Sequence, residues 1–234
     1  MGTQISISKS AVGIMATITA VGLMAGGFGL GTLAARGKPT TVVANPSTTA
    51  TPSTTPTAGT TSSSPFAVGS AFPFSATVDT LTGHQTTLAR GTKGTVVMAM
   101  ASWCLYCGYD DKYVMPILAK TPGVAIDIVD ISPEGGIADP GPQNPPFGGH
   151  DGTGGAITTA GMESIMRQYV TTYGTLNASN IHVYVAPSST QNAWNIQATP
   201  TLAFIDSNGK VSVAPAGAQT ISQAKADLQQ ALRQ

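Results

Sequence analysis

The chain has 234 residues, enough for one domain with extensions, and carries no formal net charge, with only 9% of its residues charged. Because it has no run of basic residues, we expect no nucleic-acid partner. Low charge with abundant Ser, Thr and Gly is more typical of an exported protein than of a cytosolic one.

The N-terminal segment 1–38 is predicted to anchor the chain in a membrane. No charged residue lies between Lys9 and Arg36, and at ~1.5 Å per residue a helix of that length exceeds the ~30 Å hydrocarbon core of a bilayer. It is also longer than the apolar region of a signal peptide, usually ~7–15 residues. An uncleaved anchor is therefore favoured over cleavage near Ala35 or Ala44, which would release a secreted form.

Residues 39–65 are rich in Thr, Ser and Pro and nearly uncharged. Such a composition cannot bury apolar surface, so the segment is predicted to be an extended spacer. It would hold the remaining domain, residues 66–234, away from the membrane.

The first strong structural pattern surrounds the only two cysteines of the chain, in Trp103-Cys104-Leu105-Tyr106-Cys107. An apolar run at 95–101 predicts a buried strand before them, and apolar spacing at 109–120 predicts one face of a helix after them. The pair then lies at a helix N-terminus, where free N–H groups and the helix dipole favour a thiolate. Such a site makes and breaks disulfides.

The two cysteines have three alternative uses: a structural zinc site, a structural disulfide and a copper site. A structural zinc site needs four ligands, but His84, His150 and His182 are the only histidines and none are closely spaced. A purely structural disulfide between Cys104 and Cys107 would close a very short loop and restrain the unfolded chain little. A copper site made by the two thiols and His150 stays open as an alternative function.

Downstream of this helix the pattern predicts alternating strands and helices, interrupted by a Gly- and Pro-rich insertion at about 133–160 that is too long for an ordinary connection. This alternation indicates an α/β sandwich around a mixed sheet. The predicted elements are a strand at 124–131, a helix at 162–173, a strand at 182–185, a short helix at 188–195 and a closing amphipathic helix at 221–232.

Thr199-Pro200 stands directly before another apolar strand, at 201–206. Proline is tolerated as the first residue of a strand because it lacks an N–H, and this bond is a candidate for the rare cis form. Asn208-Gly209 then fits a tight turn into an alternating strand at 211–213.

In this order the motifs resemble the thioredoxin-like superfamily, most closely its TlpA/ResA-like, membrane-anchored thiol-disulfide oxidoreductases. The resemblance runs from about residue 64 to residue 234. It is carried by the ordered set of motifs more than by any one of them. The matching residues are a hairpin segment at 74–88, the Trp-Cys-x-x-Cys of Trp103, Cys104 and Cys107, and the Thr-cis-Pro of Thr199-Pro200.

The resemblance implies a thioredoxin-like α/β sandwich, with a central mixed sheet flanked by helices and an N-terminal β-hairpin. It implies a thiol-disulfide oxidoreductase with catalytic Cys104 and Cys107, no cofactor beyond their redox-active disulfide, and a substrate site at Trp103, Thr199 and Pro200. The expected partners are protein thiols and disulfides outside the cytoplasm and an upstream membrane or soluble thiol-redox protein. Cys104, nearer the helix N-terminus, is expected to attack and Cys107 to resolve.

The sequence also departs from that family. Met98 stands where cytosolic thioredoxins hold a buried Asp that manages protons. The strand and turn before the cysteines contain no Glu, so no carboxylate base is evident in that part of the sequence. Pro116 comes later than the usual helix proline, after Asp110-Asp111-Lys112. These differences leave the redox potential and the direction of electron flow open.

Overall fold

The structure is a computed structural model that describes residues 64–234. The predicted anchor at 1–38 and nearly all of the spacer at 39–65 lie outside the described residues. Within residues 64–234, no helix combines the length and the apolar character needed to cross a bilayer.

Strands and helices alternate along most of the described chain, as the sequence pattern predicts. The strands are β1 Thr77–Thr80, β2 Gln85–Thr87, β3 Gly94–Met100, β4 Val124–Asp130, β5 Ile181–Val185, β6 Thr201–Asp206 and β7 Val211–Val213. The helical elements are α1 Leu105–Tyr109, a π-helical segment Asp110–Val114, α2 Met115–Leu118, α3 Thr159–Tyr173, α4 Ser188–Trp194 and α5 Ile221–Ala231.

The seven strands form one mixed sheet in the order β2-β1-β5-β4-β3-β6-β7. The β3 strand pairs in parallel with β4 and antiparallel with β6, while β1 and β2 form the predicted hairpin and add to the edge of β5. Every residue of β3 and β4 is buried, as expected for central strands covered on both faces. The predicted α/β sandwich is confirmed.

Alternation along β3 divides the core into two layers, because successive strand side chains point to opposite faces. Met98 and Met100 pack on the face that carries the cysteines, α3 and α5. Val97 and Ala99 pack on the other face, in a cluster with Trp194, Phe66 and Phe72.

The helix after the cysteines differs from its prediction. It begins at Leu105 rather than at Tyr109, and its middle turns are π-helical. A π-turn inserts extra backbone and rotates the residues that follow about the helix axis. As a result Asp110 and Asp111 face the interior, while Tyr113 is only partly buried.

The Gly- and Pro-rich insertion folds back on itself between β4 and α3. Its two sides are joined by isolated bridges, Glu134 with Ala156 and Asp139 with His150. The glycines allow this close approach, since a Cβ on Gly149 would lie 1.9 Å from the Asp139 carbonyl oxygen. This loop reaches the end of the sheet where the cysteines lie.

Candidate functional site

Cys104 lies between β3 and α1 and is the last residue before the helix, with extended backbone angles. Cys104 is 4% exposed, whereas Cys107, one turn into the helix, is fully buried. Both cysteines are free thiols. The pair therefore has one sulfur that a partner can approach and one that it cannot.

The two cysteines have opposite acid–base character. The thiol of Cys107 and then its backbone N–H hydrogen-bond to Cys104 and lower the pKa of Cys104 from 9.0 to about 6, against the opposing effect of burial. Burial, and secondly the hydrogen bond and charge of Cys104, raise the pKa of Cys107 well above its usual value. At neutral pH Cys104 is a thiolate and Cys107 a thiol.

The Thr199–Pro200 bond is cis, as the sequence predicts. The loop that contains this bond lies against the cysteines, although Thr199 is 95 residues from Cys104 in sequence. The Sγ of Cys104 lies 3.6 Å from the carbonyl oxygen of Thr199. Pro200 is buried behind Thr199.

A groove of about 490 Å³ opens over Cys104. Trp103 forms part of its wall and is fixed by a 2.9 Å hydrogen bond from its Nε1 to the Oγ of Ser132. Three of the predicted site residues, Trp103, Cys104 and Thr199, line this groove, whereas Pro200 and Cys107 lie below its surface.

The sheet order, the cysteine pair at the β3–α1 junction and the facing cis-proline together decide the fold. The chain has the thioredoxin-like fold. No protein-family model matches the sequence, and no curated protein matches it.

Solved structures share the thioredoxin-like architecture at low sequence identity. A proposed electron transfer protein from Aquifex aeolicus is 12% identical, with a TM-score of 0.50 over 70% of this chain and 98% of that one. A proposed thiol:disulfide interchange protein DsbE from Chlorobium tepidum is 17% identical, with a TM-score of 0.48 over 71% and 98%. A secreted disulfide oxidoreductase from Mycobacterium tuberculosis is 16% identical, with a TM-score of 0.44 over 65% and 93%.

A carboxylate lies near the cysteines on the helix that follows them, rather than on the strand and turn before them. Asp111 is fully buried four residues after Cys107, and residues four apart on a helix lie on the same side. Its charge contributes to the raised pKa of Cys107. The i, i+4 spacing was visible in the sequence, but burial of two consecutive aspartates depends on the π-helical turn.

Asp111 is held by a residue of α3. The hydroxyl of Tyr169 donates a 2.5 Å hydrogen bond to Oδ2 of Asp111, while Oδ1 has no hydrogen-bond partner among the described residues. Burial raises the pKa of Asp111 to about 7, and the Tyr169 hydrogen bond opposes part of that rise. A carboxyl with this pKa can accept and return a proton at neutral pH.

Two further buried carboxyls lie close to this centre. Asp110 accepts a 3.0 Å hydrogen bond from the backbone N–H of Gln219, and burial raises its pKa to about 8. Asp130, at the end of β4, accepts from the N–H of Ser132, and burial raises its pKa to about 8 as well. Burial removes all three carboxyls from water, and this loss of solvation disfavours their charged forms.

His150 does not join the cysteines. Its Nε2 lies 3.6 Å from Oδ2 of Asp139, and its side chain is 76% exposed. Within residues 64–234 no three His, Cys, Asp or Glu side chains are grouped as metal ligands would be. The proposed copper set of Cys104, Cys107 and His150 is therefore not brought together.

The insertion instead supports the backbone around the cysteines. The N–H of Gly152 donates to the carbonyl oxygen of Trp103 at 2.7 Å, and the N–H of Ala138 donates to that of Ser102 at 3.0 Å. The N–H of Leu105 donates to Oδ1 of Asp151 at 2.9 Å. No local sequence pattern predicts these contacts, since the partners are more than 30 residues apart.

Proposed function

We propose that this protein is a thiol-disulfide oxidoreductase that exchanges its Cys104–Cys107 dithiol and disulfide with protein substrates. The observation that carries the proposal is the pairing of a low-pKa thiol at the groove with a fully buried, high-pKa thiol beneath it. Attack requires a thiolate at the surface, and release of the substrate requires a second thiol within reach of the first.

The reaction follows from this geometry. The thiolate of Cys104 attacks one sulfur of a substrate disulfide, forms a mixed disulfide and releases the other substrate sulfur as a thiolate. Cys107 then loses its proton and attacks the Cys104 sulfur, which releases the second substrate thiolate and leaves the Cys104–Cys107 disulfide. A thiol reductant supplies two electrons and two protons to regenerate the dithiol.

Asp111 is the group placed to take the proton from Cys107. It is on the same side of the helix, is buried with that thiol, and has one free carboxyl oxygen. We assign it the role of general base in the resolving step and of general acid in the reverse direction.

The substrate is proposed to bind as an extended peptide beside the loop of Thr199. The backbone there borders the groove and ends at a buried proline, which has no N–H to compete for the thiolate. An incoming strand can therefore pair with this edge and bring its disulfide over Cys104.

The direction of electron flow is proposed to be reducing. The pKa of Cys104, about 6, is nearer to the value of ~7 in thioredoxin than to ~3.5 in the oxidant DsbA. A reduction potential closer to ~−270 mV than to ~−120 mV is expected. Equilibration with glutathione redox buffers measures this potential. A value near ~−120 mV would reverse the proposed direction.

The domain is proposed to act outside the cytoplasm, tethered by the segment 1–38 through the spacer at 39–65, because lasting disulfide chemistry needs such a compartment. A membrane-impermeant thiol reagent applied to intact cells after mild reduction should label Cys104. Labelling seen only after lysis would place the domain in the cytoplasm.

The chemistry is tested by insulin reduction with dithiothreitol and by trapping of mixed disulfides. The unmodified protein should accelerate insulin reduction, and both Cys104→Ser and Cys107→Ser should lose this activity. Cys107→Ser should accumulate a mixed disulfide with insulin, while Cys104→Ser, its matched control, should not. Equal trapping by both variants, or by neither, would show that the roles assigned to the two sulfurs are wrong.

A further inference from the structure

The insertion places an acidic side chain in the groove that opens over the reactive sulfur. Asp151 and Cys104 line the same groove, although they are 47 positions apart in the sequence. The carboxylate of Asp151 accepts the backbone N–H of Leu105, the residue that directly follows Cys104. The contact is held from both sides, because the next residue, Gly152, donates to the carbonyl of Trp103.

The first backbone N–H groups after Cys104 thus hydrogen-bond to two different acceptors, the Cys104 sulfur and the Asp151 carboxylate. Those of Tyr106 and Cys107 point to the Cys104 sulfur and lower its pKa. That of Leu105 is taken by Asp151. The sulfur therefore receives part of the stabilisation that this end of the helix offers, and a second negative charge lies across the same groove.

We propose that Asp151 is a positioning residue that restrains the reactivity of Cys104, because it occupies the Leu105 N–H and sets a negative charge in the groove that the thiolate borders. This deepens the proposed function, since a less stable thiolate makes the reduced protein a stronger reductant. The Gly/Pro-rich insertion then adjusts the redox centre as well as shaping its groove.

Other titratable groups around Cys104 are Cys107 and Tyr106 on α1 and Asp110 and Asp111 on the π-helical segment. The two aspartates are buried with raised pKa values, so they are largely neutral at mildly acidic pH. Asp151, in contrast, is exposed to solvent. It is therefore the exposed carboxylate that shares the groove with Cys104.

The test is the pH dependence of Cys104 alkylation by iodoacetamide in the reduced full-length protein. Asp151→Asn keeps an oxygen acceptor for the Leu105 N–H and removes the charge. We expect the midpoint of the profile to move down by about half a pH unit, the size of an exposed charge–charge interaction. The difference from the unmodified protein should shrink in 1 M KCl, because salt screens exposed charges.

Asp139→Asn is the matched control, since Asp139 is an exposed carboxylate of the same insertion that contacts His150 rather than the cysteine loop. Its profile should be unchanged. Asp151→Ser, a second neutral variant, should move the midpoint in the same direction as Asp151→Asn. Asp151→Glu keeps the charge, so its midpoint should equal that of the unmodified protein.

The reduction potential gives an independent readout. It should become less negative in Asp151→Asn and stay constant in Asp139→Asn. A midpoint that is unchanged in both neutral Asp151 variants, or that moves equally in Asp139→Asn, overturns the inference. If the alkylation midpoint moves as expected but insulin reduction fails in the unmodified protein, the proposed function falls and the role of Asp151 stands.

Discussion

The hydroxyl of Tyr169 lies 2.5 Å from Oδ2 of Asp111, and both side chains are fully buried beneath the cysteine pair. The contact joins α3 to the π-helical segment across 58 residues of sequence. It stabilises the charged form of a carboxyl whose burial favours the neutral form. The two effects leave the pKa of Asp111 at about 7, near that needed for proton exchange with Cys107.

Replacing Asp111 should slow the resolving step selectively. Asp111→Asn removes the proton acceptor, so we expect attack by Cys107 on the mixed disulfide to slow by about 100-fold. Alkylation of Cys104 should continue. Stopped-flow measurement of mixed-disulfide decay separates the two steps. The control is Asp127→Asn, which changes a buried aspartate on β4 away from the cysteine layer. Its mixed disulfide should decay at the rate of the unmodified protein. A normal decay rate in Asp111→Asn would exclude the role assigned to Asp111.

Tyr169→Phe should change the pH dependence of the same step. The variant keeps the ring that packs on Tyr173 at 4.2 Å between centroids but loses the hydrogen bond that favours the Asp111 carboxylate. The pKa of Asp111 should then rise above its present value of about 7, and the midpoint of the decay rate should move to higher pH. An unshifted midpoint would mean that Asp111 does not govern this rate.

Alkylation of Cys104 should rise with pH and level off above about pH 6, the pKa of its thiol. Below that pH the rate should fall about tenfold per pH unit, because only the thiolate reacts. Mass spectrometry after a brief pulse of iodoacetamide should find the label on Cys104 and not on the fully buried Cys107. A midpoint near the unperturbed thiol value would contradict the stabilisation by Cys107.

The buried aspartates should make the protein more stable at pH 5 than at pH 8. Burial raises the pKa of Asp127 from 3.8 to about 8, so the folded state binds a proton that the unfolded state releases between these values. Stability is then highest near or below pH 4 and declines towards pH 8, by up to about 1.4 kcal/mol per pH unit for each such group.

Urea unfolding of Asp127→Asn measures how much Asp127 contributes to this pH dependence of stability, because Asn stays neutral at every pH. The variant should lose stability less steeply from pH 5 to pH 8 and should exceed the unmodified protein at pH 8 by about 1 kcal/mol or more. An identical slope in the two proteins would show that Asp127 is charged in the folded state.

Gly108 should be intolerant of a side chain. A Cβ there would lie 2.2 Å from the hydroxyl oxygen of Tyr173, which is buried and donates to the Ala138 carbonyl. Gly108→Ala should therefore destabilise the protein by about 1–3 kcal/mol. In a Tyr173→Phe background, Gly108→Ala should destabilise the protein by less, and the difference should be about 0.5 kcal/mol or more. A double-mutant cycle in urea measures this coupling. Strictly additive effects would refute the clash.

The sequence by itself was sufficient to predict the fold and to place the two cysteines where a strand is followed by a helix. Apolar runs at 95–101 and 124–131 predict central strands because a strand covered on both faces must be apolar throughout. The Cys-x-x-Cys spacing and the proline before β6 are equally local. These signals needed no knowledge of how distant segments meet.

Only the tertiary structure places carboxyl groups close to the cysteines. Asp110 and Asp111 have the composition of an exposed helix turn, and only the π-helical turn and the packing of α3 and α5 bury them. Asp151 reaches Leu105 from an insertion whose path depends on glycines packed against backbone. Burial and charge proximity are properties of contacts between distant residues, and a local pattern of residue types does not encode them.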